Sequence, residues 1–204
     1  MKKEANNFIT NALRNSVSYN EFILLVKELV AKNSTTGVEK TESLINYTKL
    51  NERRIKRWNK TLKISDESKK VIENFSKETT WLVLTESWCG DAAHVMPVMN
   101  KIAKLNDNID LKVVLRDQNK ELMNQFLTNG NKSIPKLIMI DNQSDEVVNS
   151  YGPRPTDATK LVNEYKSKHG KLTPEFKEGL QKWYNKDKGQ NTINDLVALL
   201  NSIN

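Results

Sequence analysis

The sequence contains little cysteine, histidine, glycine or proline, and these scarcities exclude several classes of protein. Its one cysteine, Cys89, cannot form a disulfide within the chain, so the fold does not depend on such a bond. With only two histidines besides that cysteine, we predict no metal site, and we predict no cofactor. No apolar run approaches the roughly 18 residues of a membrane-spanning helix, so we expect no membrane association.

The remaining composition is typical of a soluble globular protein. Hydrophobic residues make up 37% and charged residues 28% of the 204 residues, a balance that a disordered chain does not have. Lysines follow the first methionine, but no apolar stretch comes after them. We therefore expect no secretory signal and a cytoplasmic location.

The net charge of +7 is spread along the chain, and its densest basic run is residues 53–60. This run includes Trp58, and basic residues interleaved with an aromatic one can bind nucleic acid. More often such a run is the solvated face of a helix, which is the interpretation we favour. Nucleic acid is accordingly not an expected partner.

The apolar periodicity predicts helices first and an alternating order afterwards. Helical spacing precedes residue 60, with Ser18 and Thr41 at predicted helix starts, and another helix follows Ser65. Short apolar runs at 81–85, 111–115 and 136–140 predict strands separated by helices, and 146–151 pairs back as a fourth strand. We predict an α/β fold in which helices flank a central mixed sheet. The predicted division is a helical extension over 1–60, an α/β domain over 61–168 and a helical extension over 169–204.

The segment Trp88-Cys89-Gly90-Asp91-Ala92 is the most informative motif in the chain. It follows a predicted buried strand and opens a predicted helix, and Pro97 lies eight residues after the cysteine. The motif resembles the Trp-Cys-Gly-x-Cys sequence of the thioredoxin family. Asp117, Ile134-Pro135 and Gly152 match further landmarks of that family in order. Trp88 to Ala92 also resembles a bacterial thioredoxin-like subfamily with a Trp-Cys-Gly-Asp-Ala variant of the active site.

The resemblance implies a thioredoxin-like fold and a place for each residue of the motif. Pro135 matches the family's cis-proline, which faces the active cysteine. Cys89 is then the candidate catalytic residue. The substrate groove implied around it consists of Trp88, Gly90, Asp91, Ala92, Ile134, Pro135, Gly152 and Arg154.

Two departures from the family pattern limit the chemistry. Ala92 occupies the position of the second, resolving cysteine, and Val83 occupies the position where many members bury an aspartate. Dithiol–disulfide exchange needs a second thiol to expel the bound partner. We therefore predict that the two-cysteine cycle cannot run unaided.

The charges near Cys89 predict a thiol of modest reactivity. The helix amino terminus should lower the pKa of Cys89 and Asp91 should raise it, so we expect a pKa that is ordinary or slightly lowered. We read Asp91 mainly as a favourable acid in the first helical turn. Glu86 could accept a proton but is expected to be solvated, and His94 should point away from the sulfur.

The last candidate is Arg154, between Pro153 and Pro155. It could clamp a carboxylate of a peptide or of a small thiol such as glutathione or bacillithiol, or it could form a surface ion pair.

Two functions from different classes follow. The first is a monothiol redox protein, in which Cys89 forms mixed disulfides that an external thiol resolves. The second is a redox-inactive module that uses the same groove to bind a peptide or protein. The sequence favours the first slightly, and we expect its partners to be protein or small-molecule thiols and disulfides. The helical extensions are expected to pack on the sheet or to mediate a homodimer.

Overall fold

A five-stranded mixed sheet forms the centre of the protein. The computed structural model describes the backbone of residues 2–203 and the side chains of residues 6–203. Within this range the strands stand in the order β1-β3-β2-β4-β5, with β2 and β3 parallel and the other neighbours antiparallel. The strands are β1 Val17–Ser18, β2 Thr79–Thr85, β3 Ile109–Leu115, β4 Lys136–Asp141 and β5 Val147–Tyr151.

Helices cover both ends of the chain and connect the strands of the sheet. A single 3-10 turn, Arg116–Gln118, follows β3. The α-helices of the described residues are α1 Lys2–Arg14, α2 Tyr19–Ala31, α3 Glu42–Thr61, α4 Asp66–Glu73, α5 Ala92–Ala103, α6 Lys120–Gln125, α7 Thr156–His169, α8 Pro174–Asp187 and α9 Gln190–Ile203.

Side-chain caps explain where the first helices begin. The Ser18 hydroxyl accepts a hydrogen bond from the Glu21 N–H, and the Glu21 carboxylate accepts one from the Ser18 N–H, which together form a capping box at α2. Thr41 caps α3 and Ser65 caps α4 through their hydroxyls. The predicted starts of these three helices are therefore confirmed.

The core lies on both faces of β2, the middle strand. Val83 is fully buried and pairs with Val113 of β3 and Leu137 of β4. The surroundings of this position are thus apolar strand residues, and no carboxylate lies at the position that the family often gives to aspartate.

Several element boundaries differ from the sequence analysis; β2 and β3, for example, begin two residues earlier than predicted. The two-residue strand β1 was not predicted, because two residues carry no periodicity. Helix α5 begins at Ala92 rather than Cys89, so the cysteine precedes the helix. Pro155 is the cap residue of α7, and the N–H and hydroxyl of Thr156 donate to Asp195 of α9.

Both helical extensions pack on the central domain. Helix α3 lies against α5, and α9 lies against α4, α5, α7 and β5. Arg53, Lys56 and Lys60 of the basic run are exposed on α3, whereas Ile55 and Trp58 face the core. The run is thus the solvated face of an amphipathic helix, as predicted. Among residues 2–203, no helix has the length and apolar content that crossing a membrane requires.

Candidate functional site

Cys89 lies in the turn that joins β2 to α5. Its backbone N–H donates to the Glu86 carbonyl at 3.1 Å, and its thiol donates to the Ile134 carbonyl at 3.2 Å. The side chain is 7% exposed. The Ile134–Pro135 peptide bond is cis, as is Gly152–Pro153. The fold therefore brings the sulfur to the Pro135 turn, although 45 residues separate Cys89 from Ile134.

The thiol is far less acidic than the sequence suggested. Burial, with a smaller contribution from the Asp91 carboxylate, raises the pKa of Cys89 to about 12. Hydrogen bonds from the N–H groups of Ala92 and Asp91, together with the Arg154 charge, oppose this rise without cancelling it. The expectation of an ordinary or lowered pKa was wrong because it balanced two charges and left out desolvation.

Asp91 is held in a partly buried ion pair. Arg154 Nη2 lies 2.8 Å from Asp91 Oδ2, and the side chains of the two residues are 23% and 12% exposed. The Tyr184 hydroxyl donates to Asp91 Oδ1 at 3.0 Å. Burial raises the pKa of Asp91, which Arg154 and Tyr184 counteract.

These contacts correct the interpretations of Asp91 and Arg154. Asp91 is the cap residue of α5, but its side chain makes no capping hydrogen bond and turns to Arg154 instead. The Arg154 ion pair is partly buried rather than on the open surface, and its partner belongs to the same site.

His94 joins α5 to the two extensions. The Trp58 indole N–H donates to His94 Nδ1 at 2.8 Å, so His94 Nε2 carries the proton and donates to Gln181 Oε1 at 2.8 Å. The imidazole stacks on Tyr184 with ring centres 4.2 Å apart. Burial lowers the pKa of His94 to about 3. The hydrogen bonds of His94 therefore go to α3 and α8 rather than to Cys89.

A cluster of neutral hydroxyl groups lies behind the cysteine turn, centred on Ser87. The Thr36 N–H donates to Ser87 Oγ at 3.0 Å, and the Ser87 N–H donates to Thr36 Oγ1 at 2.8 Å. Thr35 and Thr48 hydroxyls lie within 3.1 Å and 2.9 Å of Ser87 Oγ, and the Asn51 amide donates to the Ser87 carbonyl. The sequence analysis missed this cluster, since Thr35 and Thr36 have no pattern beyond that of a loop.

Glu86 is buried rather than solvated. It is 1% exposed, and its Oε1 accepts a hydrogen bond from the Asp117 N–H at 2.9 Å. Burial raises the pKa of Glu86. The end of β2 had seemed exposed because the loop around Gly37, which covers it, could not be placed from the sequence.

Trp88 forms the half-buried edge of the site. The Arg116 guanidinium lies 5.0 Å from its ring centre and also pairs with Asp117, with Nη2 and Oδ1 2.8 Å apart. A Cβ atom added at Gly37 would lie 3.3 Å from Trp88 Nε1, which places this loop against the indole.

Three small residues shape the rest of the predicted groove. Ala92 is 3% exposed, so its methyl group is enclosed at the position of the missing sulfur. Gly90 leaves room for a Cβ, whose nearest neighbour would be Arg54 at 3.7 Å. Gly152 has a φ of 107°, and a Cβ there would collide with the Pro135 carbonyl oxygen. The predicted groove residues are therefore assembled around one turn.

The described part of the chain holds no group of three or more histidine, cysteine, aspartate or glutamate side chains arranged to bind a metal ion.

Comparison with known proteins agrees with this geometry. The family model described as thioredoxin matches residues 37–166, more than half of the chain. The protein therefore belongs to the thioredoxin family. The match includes α3 and so begins within the predicted amino-terminal extension. No curated protein sequence matches the chain significantly.

Two solved structures resemble the fold. A protein of unknown function from Pseudomonas aeruginosa is 16% identical, with a TM-score of 0.60 over 75% of this chain and 85% of the other. An HIV epitope-scaffold is 14% identical, with a TM-score of 0.57 over 91% of this chain and 99% of the other. At this level of identity the likeness concerns the fold alone.

Proposed function

We propose that the protein is a redox-inactive thioredoxin-fold module that binds a peptide or protein segment at the groove beside Cys89 and Pro135. The observation that carries this proposal is the enclosure of the sulfur. The thiol is 7% exposed, donates to the Ile134 carbonyl and lies near a carboxylate. These contacts all favour the protonated form, which is a poor nucleophile.

The magnitude of the effect supports a binding role over a redox role. With a pKa near 12, about one thiol in 100,000 is ionised at pH 7. An ordinary cysteine has a few per cent of thiolate at the same pH. The attacking species is thus depleted by about three orders of magnitude, which reverses the slight preference that the sequence gave.

Exposed apolar side chains beside the site give a binding partner something to contact. Val38, next to Gly37, is 76% exposed, and Tyr47 and Leu50 on α3 are 43% and 40% exposed. Tyr47 and Leu50 are three residues apart and therefore lie on one face of the helix. Arg54, one turn further along this face, approaches Gly90. These residues extend the groove with apolar surface, as interaction sites often do.

The monothiol redox protein is the second candidate, and a specific observation favours it. The N–H groups of Ala92 and Asp91 point at the sulfur and would stabilise a thiolate once it formed. Cys89 thiolate would attack a disulfide, forming a mixed disulfide and releasing one partner as a thiolate. A small external thiol would then attack the mixed disulfide as its thiolate, regenerate Cys89 and leave with the bound partner as a new disulfide.

Two measurements distinguish the candidate functions: the reactivity of the Cys89 thiol, and whether partner binding requires that thiol. We expect alkylation of Cys89 at pH 7, followed by intact mass, to be much slower than that of an unfolded control. Exposure to oxidised glutathione or bacillithiol should add no mass. Partner capture from lysate should be the same for Cys89→Ser as for the natural protein. Rapid formation of a mixed disulfide, together with capture that Cys89→Ser abolishes, would establish the monothiol function instead.

Restoring the missing sulfur tests the role of Ala92. The natural protein should not reduce insulin with a dithiol reductant, whereas Ala92→Cys should gain measurable activity, because a resolving thiol then lies beside Cys89. Ala92→Ser is the matched control, since it adds a polar atom of similar position without a thiol. Turnover by the natural protein would refute our account of Ala92.

The cytoplasmic location and a homodimer formed through the helical extensions remain part of the proposal. Cell fractionation tests the first and light scattering of the purified protein tests the second.

A further inference from the structure

A second cavity lies away from the cysteine turn, between the carboxyl-terminal end of α3 and the junction of α8 with α9. Its volume is about 470 Å³, which is within the range of small-molecule sites. Arg57, Lys63 and Lys188 supply three positive charges, and no acidic side chain lines it. The proposed binding function does not use this cavity.

The cationic side chains are not neutralised by neighbouring acids. Lys63 and Lys188 form no ion pair within residues 6–203. The acid nearest in sequence to Lys188 is Asp187, whose carboxylate accepts the Asn191 N–H of the first turn of α9 at 3.1 Å. Charges that converge on a cavity without an internal counter-ion favour an anionic ligand.

Hydrogen bonds from α3 and from the residues after it to the α8–α9 segment join the walls of the cavity. Arg57 Nη2 donates to Asn185 Oδ1 at 2.6 Å, and Gln190 Nε2 donates to the Lys63 carbonyl at 3.1 Å. A cavity that is already formed does not need to be ordered when a ligand binds, which lowers the cost of binding.

One wall offers a flat surface as well as charge. The Arg57 guanidinium lies 4.7 Å from the ring centre of Trp58, whose indole is buried and anchored to His94. A guanidinium is itself planar and can stack on a further planar group.

We propose that this cavity binds a nucleoside phosphate. The phosphates would pair with Lys63 and Lys188, while the base would stack on the Arg57 guanidinium. The cavity thus combines the two recognition elements that such a ligand needs, namely positive charge and a planar contact.

The test uses isothermal titration calorimetry on the full chain at about 0.1 M salt, where diffuse surface attraction is partly screened. The probes are ADP, inorganic pyrophosphate and adenosine. We expect saturable binding of ADP, with adenosine and pyrophosphate each at least about tenfold weaker. Lys63→Gln and Lys188→Gln should each weaken ADP binding about tenfold or more, since a hydrogen bond to a charged group is lost.

Lys186→Gln is the matched control because it removes the same charge from an exposed residue of α8 that does not line the cavity. It should change ADP binding less than about twofold. Arg57→Lys keeps the charge but removes the planar group, and it should affect ADP more than pyrophosphate. Thermal melting of each variant checks that it is folded.

Three results would overturn the proposal. They are no saturable binding of ADP, an equal loss in Lys186→Gln, and pyrophosphate binding as tightly as ADP. Tight binding of an RNA oligonucleotide with no binding of ADP would likewise replace it with nucleic-acid contact along α3. Cys89→Ser should bind ADP normally, so the result is independent of the proposed groove.

Discussion

The two helical extensions hold the cysteine turn in different ways. The amino-terminal extension binds it through neutral groups, with Thr36, Thr48 and Asn51 clustered on Ser87. The carboxyl-terminal extension binds it through ionisable and aromatic groups, with Tyr184 on Asp91 and Gln181 on His94. The first set of contacts does not change its charge near neutral pH, whereas the second contains groups with shifted pKa values. Acid should therefore weaken the contacts of His94, including the one that Trp58 of α3 makes, and leave the Ser87 cluster intact.

The largest expected effect is acid destabilisation through His94. Its pKa is about 3 in the folded protein against an ordinary value of 6.5. The stability that neutral His94 provides is thus fully present above pH 6.5 and is lost as the pH falls towards 3. At about 1.4 kcal/mol per pKa unit, the loss is up to about 5 kcal/mol. A protonated imidazole could no longer accept the Trp58 N–H.

Urea unfolding at pH 7, 5 and 4 measures this effect. His94→Asn should be less stable than the natural protein at pH 7 and should have a shallower dependence on pH. His169→Asn, which alters the exposed histidine of α7, should retain the natural slope. Equal slopes for all three proteins would contradict the assignment to His94.

Arg154→Ala should lower the free energy of unfolding by about 3 kcal/mol. The change leaves Asp91 partly buried without its cation, and breaking one side of such a pair is costly. Asp91→Asn in the same chain should recover part of the loss, because the uncompensated charge is then gone. Additive effects of the two substitutions in urea unfolding would show that the ion pair contributes nothing.

In the cluster of neutral groups, Ser87→Ala should lower the free energy of unfolding by about 2 kcal/mol, because it leaves the buried Thr36 N–H without its acceptor. In contrast to the His94 effect, this loss should be the same at pH 5 and pH 8. Ser43→Ala, at an exposed position of α3, is the control and should be nearly neutral. A loss that varies strongly with pH would remove the distinction between the two attachments.

The smallest effect is expected for Tyr184→Phe, which should lower the free energy of unfolding by about 1.5 kcal/mol. It removes the hydrogen bond to Asp91 but keeps the stack on His94. Tyr184→Ala is the comparison, and thermal unfolding measures both variants. The alanine variant also loses the buried ring, so its free energy of unfolding should be about 3–5 kcal/mol lower than that of the natural protein. Similar losses for the two variants would show that the stack contributes little.

The fold was predictable because its signals are local. The apolar runs that became β2, β3 and β4 and the caps at Ser18, Thr41 and Ser65 lie within a few residues of the structure they specify. The motif at Cys89 then indicated the family, because Pro135 and Gly152 follow it in the same order as the family's landmarks.

The electrostatics of the site were not predictable, because they depend on burial by distant segments. Tyr184 lies 93 residues from Asp91, and Gln181 lies 87 residues from His94. No periodicity links these pairs. The loop at Gly37 covers Glu86, and desolvation decides the pKa of Cys89. Sequence reasoning identified which groups are present but could not tell how much water each one retains.

The contact between Gly152 and the Pro135 carbonyl joins two loops mechanically. Their backbones touch with no side chain between them, so neither loop can yield far without displacing the other. A segment that displaces the Pro135 turn would also displace the loop after β5, which carries Arg154, the counter-charge of Asp91. Occupancy of the groove would in this way alter the two charges, on Asp91 and Arg154, that act on the Cys89 thiol.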